Sequence, residues 1–176
     1  MLHREIINWK LSNKLNTSGN VRQRSVRKKT ASRICAVQVL YSCLFGCSSL
    51  QNKSEEFLCF YQNHILNELE IKNIDLELFY EILTNIENHK KTIDNIISDN
   101  LSNKWKFERL SFIELCVLRL SVYEMCISKQ FKVKTIINEY ISIFEVFCGD
   151  VSFANAILDR FSKVKINISS WMNLII

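Results

Sequence analysis

The chain has 176 residues, 48% of them apolar, which suits one domain or two small helical subdomains around a shared core. It lacks any run of about 18 apolar residues, which argues against a hydrophobic membrane span. The net charge of +5 is unevenly spread: residues 6–54 hold nine Lys or Arg and no acid, while residues 55–176 carry an excess of acids. A local positive field of this kind steers polyanions.

The patterning predicts an all-α fold of about seven helices in two helical-bundle subdomains. There is no proline, and Gly46 and Gly149 each follow an apolar-periodic run, where a helix C-terminus wants glycine. Residues 1–20 read as a flexible tail. The domain is expected over 21–165, divided into 21–89 and 90–165, with a second tail at 166–176.

The first helix is expected from Val21 to Gly46, with Ile34, Val37, Leu40 or Tyr41, and Leu44 inward. Its first turns hold Arg22, Arg24, Arg27, Lys28, Lys29 and Arg33. The helix dipole disfavours cations at that end by about 0.3–1 kcal/mol each, so the cluster points to a use outside the fold. A second helix is expected to open at Ser54 and run to Leu69, with Glu55 and Glu56 in its first turn. A third is expected to begin at Asp75 as N-cap, with Leu76, Phe79, Leu83 and Ile86 inward. A short fourth is expected over Lys91–Leu101.

The fifth begins at Ser111, where SFIE has the capping-box form, and reaches Ser128. Apolar on nearly every side, it should be the central helix. Within it, Arg119 and Glu124 need partners, and Glu139 is a candidate for Arg119. The sixth helix is expected over Val133–Phe147 and the seventh over Ser152–Val164.

The basic run has three readings: a nucleic-acid surface, a solvated helix start, or an import peptide. The run fuses into a core helix without a cleavage boundary, which counts against the last. Six phosphate contacts to a single strand would give a log–log salt slope of about −4. Phe147 and Phe153 flank the turn between the last two helices, where an aromatic either packs in the core or stacks an unpaired base.

Catalysis is not expected. His3, His64 and His89 lie in unrelated contexts, and there is no GxxxxGK[ST], GxGxxG or HExxH pattern. The seven cysteines are odd in number, without a CxxC pair, and mostly within apolar runs, as in a reducing cytoplasm. Cys43 and Cys47, one turn apart, have no matching ligand pair. No cofactor and no metal are expected.

Four blocks in order, CAVQVLY (35–41), VLRLSVYEM (117–125), INEY (137–140) and FANAILD (153–159), together with WKFERL (105–110), resemble the NusB family of transcription antitermination proteins. The similarity covers about residues 27–163. It implies a non-enzymatic, all-helical protein that binds boxA-type single-stranded RNA in ribosomal RNA leader transcripts. The family acts there with NusE, a small-subunit ribosomal protein, in an RNA polymerase antitermination complex. The resemblance implies no membrane association, and the family's monomers and dimers leave a homodimer open.

Carried over by position, the RNA surface falls on Lys29 and Arg33, with Arg27 and Lys28 beside them. The stacking aromatic falls on Phe153 and the partner-facing tyrosine on Tyr41. Arg119, Glu124, Glu139 and Asn155 fall on positions read as structural. This chain departs from the family at Thr30 and Ala31, where arginines are usual, at Lys132 for a proline, and at Phe144–Glu145 for an alanine–lysine pair. The other reading is a stand-alone RNA-binding or adaptor module, akin to the N-terminal domain of ribosomal RNA cytosine methyltransferases.

Overall fold

The computed structural model describes residues 28–46, 49–68, 72–102 and 105–164. Arg22, Arg24 and Arg27, Cys47 and both expected tails lie outside them. The described residues form seven α-helices and no strand: α1 (Lys28–Cys43), α2 (Leu50–Phe60), α3 (Gln62–Glu68), α4 (Leu76–Asn100), α5 (Phe112–Val122), α6 (Val133–Phe147) and α7 (Val151–Ser162). A 3₁₀ turn, Phe107–Arg109, precedes α5, and a π-helical turn, Tyr123–Ser128, continues it.

Local chemistry sets most of the boundaries. Asp75 caps α4 by accepting from the Leu78 N–H at 3.1 Å. Ser111 and Glu114 close the expected capping box at α5. At the end of α6, Gly149 takes φ +83°, and its N–H and that of Cys148 both donate to the Phe144 carbonyl.

Four expectations need correction, the first being that the second helix, expected to run to Leu69, ends at Phe60 and is followed by a separate α3. The second helix starts five residues early, because Ser49 caps it through the Asn52 N–H. Ser54 is instead buried inside α2, donating to the Gln51 carbonyl. The third and fourth helices are one, α4, so the expected boundary between 89 and 90 falls in mid-helix. Its polar stretch at 87–91 covers one exposed turn, while Ile86, Ile93 and Ile97 keep a common buried face on either side. Leu76 and Leu44, expected inward, are exposed.

Helices α1, α4 and α5 pack on one another, with α2 against α1. Helix α6 packs between α5 and α7, and the π turn touches α4, α6 and α7. Helix α5 is buried from Cys116 to Val122, as a stretch apolar on nearly every side requires, with Arg119 and Ser121 its two polar side chains there. The thiols of Cys35 and Cys116 are each pushed up by burial to about 12, and that of Cys126 to about 11.

Candidate nucleic-acid interface

Helix α1 opens with Lys28 and Lys29 exposed and no acid in its first turn. The Lys29 ammonium lies over the Phe131 ring, 4.5 Å from its centroid. Phe131 is half-buried, packed on the core just before α6.

Arg33 points the other way. It is 2% exposed, and its Nε and Nη2 each donate at 2.7 Å to the two Glu124 carboxylate oxygens. Its Nη1 donates to Glu139 at 3.4 Å, and Tyr140 donates its hydroxyl to Glu124 at 2.6 Å. Thr30 donates to the same Glu139 carboxylate. Burial alone would lower the Arg33 pKa, but the hydrogen bonds and charge of Glu124 outweigh it and hold the guanidinium above its ordinary value. Burial, followed by the Glu124 charge, raises the Tyr140 phenol. The sequence reading placed Arg33 among the RNA-facing cations; the structure places it in a buried pair joining α1, the π turn and α6.

The other buried arginine also differs from expectation. Arg119 makes a two-pronged bond to Asp94 of α4, at 2.7 and 2.9 Å, and not to Glu139. Arg119 and Glu124 therefore tie the central helix and the π turn that continues it to neighbours, Arg119 through Asp94 rather than the Glu139 that the sequence suggested, and Glu124 through Arg33. Asn155 is exposed, and its amide donates within α7 to the Val151 carbonyl.

Phe153 is also covered. It is 5% exposed, with the Trp105 ring 4.4 Å away at 34° and Phe144 edge-on at 6.1 Å. Asp150 caps α7 through the Phe153 N–H and fixes where that ring starts; this bond and that from Ser152 hold its carboxyl below the ordinary value. Trp105, 37% exposed, borders two grooves of about 200 and 440 Å³. The open aromatic beside the last turn is therefore Trp105, which the sequence analysis used only as part of WKFERL. Its signal was available: an aromatic in a polar loop has less core to enter than one on a helix stripe.

The far end of α1 has different chemistry. Half-buried Tyr41 packs on Phe45 at 5.1 Å, and Phe45 meets Phe112 edge-on at 5.8 Å. Phe45 and Phe112 are 58% and 56% exposed. One turn before Tyr41, the sheltered Gln38 Nε2 has no acceptor among the described residues. Thirteen residues separate Lys28 from Tyr41, about 20 Å of helix axis.

Among the described residues no helix is long and apolar enough to cross a membrane, and no group of His, Cys, Asp and Glu could hold a metal ion.

Known proteins share this fold. A family model described as the NusB family matches residues 30–163. The transcription antitermination protein NusB of Clostridium botulinum (strain Alaska E43 / Type E3) is 38% identical over 123 residues, covering 68% of this chain and 90% of that protein. The protein of the same description from Mesorhizobium japonicum is 30% identical over 142 residues, covering 80% and 92%. Among solved structures, T. maritima NusB superposes with a TM-score of 0.62 at 25% identity, covering 85% of this chain and 99% of that one. A chain in the crystal structure of a plectonemic RNA supercoil gives the same TM-score at 21% identity and bears on the fold alone. With its helical order, its central capped helix and a family match over most of its length, the chain belongs to the NusB family of non-enzymatic transcription antitermination factors.

Proposed function

We propose that this chain binds boxA-type single-stranded RNA in ribosomal RNA leader transcripts, together with NusE, within an RNA polymerase antitermination complex. The observation that carries the reading is the head of α1: Lys28 and Lys29 are exposed, the turn has no acid, and the acid-free basic run leads into it. Phosphates contacted here release counterions, so binding must weaken as salt rises. Arg22, Arg24 and Arg27 extend the same charge upstream. Arg33 is committed to Glu124 and takes no part in phosphate contact. A base stacks on the outer face of Trp105, which Phe153 supports from beneath.

The partner protein docks at the other end of α1, on Tyr41, Phe45 and Phe112. Exposed aromatics in contact with one another, beside a sheltered amide without an acceptor, are suited to a protein interface. The separation along α1 lets RNA and protein bind together.

Fluorescence anisotropy with a boxA-like RNA and a scrambled control, with and without NusE, tests this. Sequence-dependent binding that tightens with NusE is expected. Changing Lys28 and Lys29 together to Ala should lower the magnitude of the log–log salt slope by about 1.4. Equal binding of both RNAs, unaffected by NusE, would leave only a basic patch.

A further inference from the structure

We infer that Phe131 is a positioning residue for RNA binding, seating the Lys29 ammonium so that Lys29, and not Arg33, meets a phosphate. This rests on the RNA-binding reading proposed above. One ring serves two cations: the Lys29 Nζ lies 4.5 Å from its centroid and the Arg33 Cζ 5.2 Å from it. The two cations have opposite fates. Arg33 is closed off by two bonds to Glu124 and one to Glu139. Lys29 is exposed and, among the described residues, pairs with no carboxylate.

An aromatic face holds an ammonium without neutralising it, because the attraction comes from the ring quadrupole. A carboxylate in the same place would cancel the charge the phosphate needs. A lysine already seated also loses less side-chain freedom when RNA arrives. Phe131 can act as a fixed platform because it packs on the core immediately before α6, whose Glu139 and Tyr140 belong to the Arg33 network. The ring thus registers an exposed cation against a rigid interior.

The test is RNA affinity of the full chain, by anisotropy, for the wild type, Phe131→Leu, Phe131→Tyr, Lys29→Ala and the Lys29→Ala/Phe131→Leu double variant, with thermal unfolding of each. Phe131→Leu should bind roughly two- to fivefold more weakly. Phe131→Tyr, which restores the ring face, should bind like wild type, and Phe131→Leu should add nothing in the Lys29→Ala background. A merely structural ring would instead lower affinity in both backgrounds, in step with thermal stability. If the wild type binds and Phe131→Leu matches it, or if the Leu and Tyr variants weaken binding alike, the positioning role is overturned while the RNA-binding reading stands. A wild type that binds no RNA overturns both.

Discussion

Arg33 shows how one side chain can change occupation without changing position in the sequence. At the head of a basic helix it reads as a phosphate ligand, yet five residues past Lys28 it has turned inward to Glu124. Sequence spacing cannot show this, because the acceptor lies 91 residues away. Thr30 belongs to the same network, its hydroxyl donating to Glu139. Removing one partner of a buried pair strands the other charge. Arg33→Met should therefore cost about 3–5 kcal/mol in urea unfolding, and Arg33→Met/Glu124→Met should recover much of that loss. A folded Arg33→Met of unchanged stability that had lost only RNA affinity would return Arg33 to the interface.

At the scale of the element, capping chemistry was legible and continuity was not. Asp75, Ser111 and the limits of α6 could be read locally, because a side-chain oxygen, a reaching glutamate and a glycine beyond the end act within a few residues. The join of α4 could not, because one exposed polar turn looks like a loop until the buried isoleucines on both sides are seen to share a face. The cap of α7 permits a signed prediction. Asp150 titrates below its ordinary 3.8 because the Phe153 N–H and Ser152 hydroxyl bond its charged form. A depressed folded-state value means its contribution is present above the ordinary value and is lost as pH falls through the depressed one. Asp150→Ala should cost about 0.5–2 kcal/mol at neutral pH in chemical unfolding. The gap to wild type should narrow below about pH 4.

For the whole molecule, the two ends of α1 divide the proposed work. The charged end was visible in composition, since an acid-free stretch needs no structure to be noticed. The aromatic end was visible only at Tyr41; Phe45 and Phe112 come together because α1 and α5 pack side by side. Under the proposed function, Phe45→Asp should abolish NusE binding in calorimetry, while RNA binding by the chain alone should change less than about twofold, since the sites are about 20 Å apart. Loss of both together would mean the ends of α1 are not independent.

The buried thiols carry a practical consequence. Cys35, Cys116 and Cys126 lie in α1, α5 and the π turn, at most 2% exposed and hard to ionise, whereas Cys59 stands open on α2. Thiolate is the species an alkylating reagent attacks. Cys59 therefore reacts from the native state, while the other three wait for the interior to open. Thiol labelling of these four cysteines thus reads breathing motions, with Cys59 reporting the surface and Cys35, Cys116 and Cys126 reporting when the core opens.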